Sequence, residues 1–581
     1  MFWIKNGKQY REETSRKISW GHWFTFFNIL WAIIIGSRYA FIIDWPDTLF
    51  GRLYFFVSLL GHFSFIVFAF YLLIIFPLSF IVKNNRTFRG LSVIFSTLCV
   101  TLLLVDTEVF SRFNLHLSSV VWNLLVNPEN GELSRNWQIF FTAMPTILLL
   151  QMLFSRWSWE KLRSLERQKW LKAVGIFFVC AFTATHLIYA WADAYIYRPI
   201  TMQKSNFPLS YPMTARSFLE KHGFLDKTQY SHTLEWEGRP EAAKIDYPKH
   251  ALRFGEVKEK TNILLITVSG LRADAVRADK MPKLNAFAQQ ATRYINHYST
   301  GNDNNSGLTG LFYGLTANYT DSLLSNKTRS VLMERLRQNN EYQIGLFSAD
   351  QFKSPLFRQG IFPKNKLGAR QGDNQSETAR FIQWRKQAQQ SDKPYFAYLS
   401  LSVETGLNET GYALALREID SLLNEALTDE SEDTLVIITA EHGYNFLNLD
   451  EKQQANYFAR DEVQVPMIVR WSHLARGEID KLTSHTDLLP ALMKQVFRAE
   501  NPVSDYAQGY DLFDAQQERN WVQAGNYRWN VIITPDGTQF HIDRRGNYQK
   551  YDRTYNKASS THPPLGLFLE VFNQEDSFFE K

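Results

Sequence analysis

At 581 residues the chain is long enough for two or more domains, and its 63 Lys and Arg against 58 Asp and Glu leave a formal charge of only +5. So slight an excess is not the concentrated basic field of a nucleic-acid binder, and no nucleic-acid partner is expected. The only cysteines, Cys99 and Cys180, both fall inside apolar runs, which excludes a disulfide framework.

The two halves differ. Up to about Tyr197 the chain is crowded with Phe, Trp, Leu and Ile; later residues are mixed and polar. Five apolar runs reach or approach the roughly 20 residues that a helix needs to cross a bilayer core. They are Trp20–Ile43, Tyr54–Val82, Leu91–Phe110, the shorter Ile139–Phe154, and Ala173–Trp191. The first is too long and aromatic, and too poorly followed by a cleavage site, to be a signal peptide. Residues 1–195 are therefore expected to form a helical membrane domain of about five spans.

Cations gather in alternate loops. Lys5, Lys8, Arg11, Arg16 and Lys17 precede the first run; Lys83, Arg86 and Arg89 separate the second from the third; Arg156, Lys161, Arg163, Arg167, Lys169 and Lys172 separate the fourth from the fifth. Basic loops stay in the cytoplasm, so the N-terminus is expected inside and everything after about Tyr195 outside. The last cluster also suits anionic lipid or a cytoplasmic partner. Asp106, Glu108, His22, His62 and His186 lie within or near the runs and are expected to make interhelical hydrogen bonds, because unpaired charge is costly in hydrocarbon.

Residues 196–250 read as a juxtamembrane linker. A short amphipathic helix is expected over Met213–His222, stopped by Gly223, with Met213, Phe218 and Leu219 turned to lipid or to the domain beyond. Free backbone N–H groups of its first turn, at Thr214, together with Arg216 and, a turn further on, Lys221, suit a phosphate. His232, Glu235 and Glu237 belong to the same polar linker and suggest no role.

From 251 to 581 strands and helices alternate. Strands are expected at Ile263–Val268, Gln343–Ser348, Tyr395–Ser400, Thr434–Thr439 and Gln464–Trp471, with helices near Lys283–Ala291, Leu323–Asn339, Ser376–Gln390 and Ala413–Leu427. That order predicts parallel βαβ units. After Asp511 short strands around the turns Pro535-Asp536-Gly537 and Arg545-Gly546-Asn547 predict a closing antiparallel region. Ligands in open α/β sheets bind beyond the carboxyl ends of the strands, which puts Ser269 and Gly270, and Glu441 and His442, where chemistry would be done. His485 and Asp487 form a second polar pair at a helix start and are expected to be structural.

ITVSG at Ile266–Gly270, TAEHG at Thr439–Gly443, VPMIVRW at Val465–Trp471 and TDLLPALM at Thr486–Met493 occur in an order that resembles the sulfatase branch of the alkaline phosphatase superfamily. With SWGHWF, GSRYAFI, GHFSFIVFA, YRPITMQ, LSYPMTAR and FLEKHG in the N-terminal half, the whole chain resembles the YejM family of Gram-negative inner-membrane proteins. The superfamily resemblance implies a doubly wound α/β domain with metal at its strand ends, hydrolysing or transferring sulfate and phosphate esters.

The motifs depart from that pattern. The first acidic ligand should fall at 269, where this chain has Ser269. Glu441 and His442 keep both ligand types of the late pair and are the candidate metal residues, for Mg, Mn, Ca or Zn. Arg460 lies in the stretch where the family often has a histidine. The nucleophile region, Gly301–Gly314, lacks a threonine at its first polar positions, leaving Ser306 or Thr309, so no catalytic residue is assigned.

Resemblance to the YejM family implies a pseudoenzyme that receives lipopolysaccharide at the periplasmic membrane surface, the phosphorylated sugar of lipid A meeting the region of Arg216. It further implies control of lipopolysaccharide synthesis through partners that govern turnover of the lipid A deacetylase. Two alternatives stay open: a metal-dependent phosphate or sulfate ester hydrolase or transferase acting on lipid headgroups, and cardiolipin or other anionic phospholipid binding or transport.

Overall fold

The computed structural model describes residues 2–580 apart from 44, 114, 119–120, 123–130, 366, 368–371, 544–546, 559–564 and 576. The chain divides into two compact units, one reaching to His232 and including Pro240–Ala242, the other comprising Thr233–Arg239 and Ala243–Glu580.

The first unit is helical: α1 (Phe2–Gly36), α2 (Leu49–Phe70, continued through a π-turn at Tyr71–Ile75 into Phe76–Ile81), α3 (Asn85–Phe113), α4 (Gly131–Glu160) and α5 (Trp170–Ala194). Among the described residues four stretches are long and apolar enough to cross a membrane, Gly7–Phe41, Leu49–Ile81, Asn85–Arg112 and Trp170–Ala194. The expected run Ile139–Phe154 is helical within α4 but is not one of them. The helix that carries it, α4, is 30 residues long, more than a bilayer crossing needs. Leu72, Leu73, Ile176, Phe177, Val179 and Leu187 stay exposed, as side chains facing lipid do.

Close packing and polar pairs join these helices, since apolar burial alone gives no drive between helices in lipid. Gly61 brings α2 against α5: a Cβ there would lie 2.7 Å from the backbone of Phe182. Asn28 of α1 and Gln151 of α4 exchange side-chain amide hydrogen bonds, at 3.3 Å and 2.5 Å, in a buried position that the sequence reading did not single out. Asp106 accepts from Tyr39 and sits 2.7 Å from His116 Nδ1, while Glu108 pairs with Arg38 at 3.3 Å and Arg112 at 2.8 Å. The two span histidines bond backbone rather than a second helix: His62 meets the Pro208 carbonyl at 2.8 Å, and His186 accepts from the Met213 N–H at 3.0 Å. His22 packs its ring against Tyr71.

The linker is more helical than expected and differently bounded. Its short helix, α6, covers only Arg216–Lys221: Met213 and Thr214 have no regular structure, and Ala215 offers no side chain to cap it. A second helix, α7 (Lys227–Glu237), follows where only a polar linker was expected. Asp226 starts it, accepting the Thr228 and Gln229 N–H groups.

The second unit is built on a seven-stranded sheet whose strands, in chain order, are β1 (Ile263–Ser269), β2 (Thr292–Tyr294), β4 (Gln343–Ser348), β5 (Tyr395–Ser402), β6 (Leu435–Thr439), β7 (Met467–Arg470) and β8 (Gly477–Ile479). Their spatial order is β4-β5-β1-β6-β7-β2-β8. The central strands β4, β5, β1 and β6 are parallel as expected. The expected strand Gln464–Trp471 is a shorter β7, and it runs antiparallel to both β6 and β2, which corrects its reading as another parallel unit. Only two four-residue helices, Glu451–Gln454 and Arg460–Val463, interrupt the otherwise irregular segment between β6 and β7; it returns the chain without a long crossover helix, and that permits the antiparallel pairing.

Both faces of the sheet are covered, which is why its strands read as unbroken apolar runs. Leu264, Ile266 and Val268 of β1 pack with Leu416 and Leu423 of one face, under the helices α8 (Pro282–Gln289), α10 (Asn374–Ala388) and α11 (Glu409–Leu427). Ile263 and Leu265 pack with Leu308, Leu311 and Phe312 on the other face, under α9 (Asn304–Tyr313). The expected helix Leu323–Asn339 is broken into Thr320–Ser325 and Val331–Arg337.

The strands β3 (His297–Tyr298) and β9 (Thr483–Ser484) form a separate parallel pair. The C-terminal strands β10 (Val522–Gly525), β11 (Trp529–Ile533), β12 (Gln539–Asp543) and β13 (Tyr548–Tyr551) form an antiparallel meander, as the turn chemistry predicts. Of its two expected turns, Pro535-Asp536-Gly537 joins β11 to β12; Arg545 and Gly546 lie outside the described residues. A last helix, α12 (Leu565–Glu575), follows.

Candidate site at the strand ends of the sulfatase-like domain

The parallel register of β1 and β6 sets Thr267 beside Thr439 and brings the two strand-end turns together. The turns are tied directly, the Gly270 N–H bonding to the His442 carbonyl at 3.1 Å. The first turn of α9 fits against them because Gly307 has no side chain: a Cβ there would run into the Glu441 carbonyl oxygen. Asp303 caps that helix, accepting the Ser306 N–H at 2.9 Å.

Three polar side chains meet in this crook. Ser269 Oγ donates to Asn304 Oδ1 at 2.6 Å and lies 3.3 Å from His442 Nε2. His442 Nδ1 is 2.8 Å from the Gly443 carbonyl oxygen and 3.4 Å from Glu462 Oε1. Burial works against charge on this imidazole, but the Glu462 carboxylate outweighs it and lifts the ring to about 9, so it carries a proton at neutral pH. Glu441 turns elsewhere: it is buried, and its Oε1 accepts from Thr267 at 2.8 Å and Tyr398 at 3.3 Å. Burial raises its carboxyl above the ordinary range, and its Oε2 has no hydrogen-bond partner.

The sequence-predicted metal pair is thus adjacent in the chain but divided in orientation and charge. Ser269 brings a neutral hydroxyl where a carboxylate would be needed. Glu441 Oε2 is an anionic oxygen left without a hydrogen-bond partner. Among the described residues no group of three or more His, Cys, Asp or Glu gathers in a way that could hold a metal ion. The donor set therefore does not fit a sulfatase-type divalent centre, and no step is derived through one.

Neither expected nucleophile faces the crook. Ser306 Oγ donates to Asp303 Oδ2 at 2.8 Å, and Thr309 Oγ1 is held by the Asn305 carbonyl and Thr320, each at 2.8 Å. Asn304 occupies the place instead. It was not picked out from sequence, although Asp303 with Ser306 three residues on is an N-cap pattern that fixes which residue opens the helix. An amide is no nucleophile at neutral pH.

His485 and Asp487 are structural, as expected. His485 is buried, bonding the Ala440 carbonyl through Nε2 at 2.8 Å and His297 Nε2 through Nδ1 at 2.9 Å. Asp487 accepts the Ser484 and Tyr510 N–H groups, each at 2.8 Å, and pairs with Arg519.

In the helical unit Arg216 opens α6 and its Nε lies 2.8 Å from Asp193 Oδ2, at the end of α5, with the guanidinium over the Tyr230 ring. The Asp193 side chain is fully buried and that of Arg216 is 38% exposed, so the cation is moored on one side and open on the other. Thr214 and Lys221 are exposed nearby in sequence, but only Arg216 is fixed. The helix N-terminus expected as an anion cradle is only the start of a six-residue turn.

Comparison with known proteins agrees with this division. A family model described as a domain of unknown function (DUF3413) matches residues 7–254, and a sulfatase model matches residues 410–496. A Haemophilus influenzae protein described as uncharacterized is 64% identical over the whole of both chains. The inner membrane protein YejM of Salmonella typhi is 42% identical over 99% of each chain, as is that of Salmonella typhimurium. A solved alkaline phosphatase superfamily protein from Vibrio parahaemolyticus aligns with 58% of this chain and 92% of its own at 13% identity and a TM-score of 0.43. Full-length identity at this level, across both the membrane helices and the sulfatase-like domain, places the chain in the YejM family of inner membrane proteins.

Proposed function

We propose that this inner membrane protein is a sulfatase-like pseudoenzyme that binds lipopolysaccharide through lipid A at the periplasmic membrane surface and reports its level to the machinery controlling lipopolysaccharide synthesis. The observation that carries the reading is the mooring of Arg216 by buried Asp193 at the end of membrane helix α5. A guanidinium held there, half open and beside exposed Thr214 and Lys221, suits a sugar phosphate at headgroup depth. The neutral hydroxyl of Ser269, closed on Asn304, supports the loss of catalysis. The basic loops before α1, between α2 and α3, and between α4 and α5 support a cytoplasmic N-terminus and a periplasmic C-terminal domain. The signal would pass to a regulatory protein in the membrane or cytoplasm.

The test is binding of lipid A by the full chain in nanodiscs, comparing wild type with Arg216→Ala and Arg216→Lys. Arg216→Ala is expected to weaken binding by about tenfold or more, and Arg216→Lys to restore part of it, since a charge-assisted pair contributes about 1.5–3 kcal/mol. Equal binding by all three forms would remove the proposed recognition site.

A further inference from the structure

At the other end of the helical unit, where α1, the start of α3 and the end of α4 meet, two arginines share one tryptophan. The guanidinium carbon of Arg16 lies 4.4 Å from the Trp159 ring centroid and that of Arg89 lies 4.9 Å from it. Both cations thus lie within 4.9 Å of the centroid of one indole, crowded into a single small region. The indole is itself fixed: Trp20 packs edge-on against it, and Trp20 Nε1 donates to Ser158 Oγ at 2.9 Å.

Among the described residues neither Arg16 nor Arg89 has an ion-pair partner. Arg89 Nε reaches only the Asn85 carbonyl, at 3.4 Å. The acid next to the indole, Glu160, is paired with Arg156 at 2.9 Å and its charge also reaches Arg89. Arg16 also lines an open cleft of about 420 Å³ with Arg11, Ser15 and Arg163, and with Glu12 and Glu166. Stacking offsets part of the repulsion between two like charges held this close, and a bound anion would offset the rest.

We propose that Arg16 and Arg89, clamped on Trp159, bind the phosphate ester of an anionic headgroup. Arg16 and Arg89 lie near the starts of the membrane-long stretches Gly7–Phe41 and Asn85–Arg112, where lipid headgroups are met, which favours a phospholipid over a soluble phosphate. This site involves none of the residues at Arg216 and does not depend on recognition of lipid A.

The experiment measures phosphatidylglycerol retained by the full chain in phosphatidylcholine nanodiscs, with glycerol 3-phosphate offered separately in solution. Arg16→Gln/Arg89→Gln is expected to lower retention about thirty-fold, and Lys8→Gln/Lys83→Gln, which removes the same charge from exposed positions in α1 and the loop before α3, to leave it near wild type. Arg16→Lys/Arg89→Lys keeps the charge without the planar fork and should fall between; it also serves if the glutamine pair does not fold. Equal losses in the arginine pair and the lysine control would mean a diffuse basic field and overturn the site. Retention of glycerol 3-phosphate with no preference for phosphatidylglycerol would overturn the lipid assignment in favour of a soluble phosphate.

Discussion

Ser269 Oγ donates to Asn304 Oδ1 at 2.6 Å, so two neutral side chains close on each other at the strand end where an ester hydrolase would hold a charged ligand and a nucleophile. Phosphodiesterase turnover with added Mg, Mn, Ca or Zn should therefore be the same for wild type and Glu441→Gln/His442→Gln. A metal-dependent rate in wild type that falls a hundredfold in the double variant would restore the hydrolase reading.

Glu441 has one satisfied and one orphaned oxygen, and burial raises its carboxyl. A raised folded-state value stabilises the domain below the unfolded value of about 4.3, and that contribution is lost as pH rises through the folded value. Glu441→Gln should match or exceed wild-type stability at neutral pH and lose that advantage in acid. Chemical denaturation across pH checks it; a variant much less stable than wild type at pH 7 would contradict it.

His297, His485 and His541 are buried, and burial lowers all three, His485 to about 4 and His541 to about 3. Because the unfolded chain takes up these protons first, near 6.5, their contribution is complete above that value. It is lost progressively as pH falls toward the folded values. Unfolding midpoints should drop steeply between about pH 6.5 and 4, and His541→Gln should flatten part of that slope.

Arg385 and Glu430 form a buried pair at 2.9 Å, and Glu430 also accepts from Thr434 and Tyr395. Arg385→Ala leaves that carboxylate without its counterion and is expected to cost about 3–5 kcal/mol. Thermal unfolding measures it. A loss under about 1 kcal/mol, the worth of a surface pair, would show that water reaches the site.

Sequence carried most of the sheet, since strands buried on both faces announce themselves as aliphatic runs. It misread β7, because the same apolar run serves either direction and only the connection decides. It passed over α9, whose opening GNDNNSG has poor helix propensity and forms against the sheet through Gly307 and its Asp303 cap. At the site, Ser269, Glu441 and His442 fell at the expected strand ends. Which way Glu441 points, and that Glu462 would keep His442 protonated, depends on residues distant in sequence. The same holds for Arg216: its charge was legible, its tie to Asp193 was not.

The buried amide exchange between Asn28 and Gln151 has a mechanical meaning for the helical unit. Each side chain satisfies the other only at one axial position, so sliding α4 along α1 by a helical turn would strand two amides in hydrocarbon. The pair acts as a detent. Helices facing each other through leucines alone can slip along a shallow profile, whereas this pair favours one notch over its neighbours.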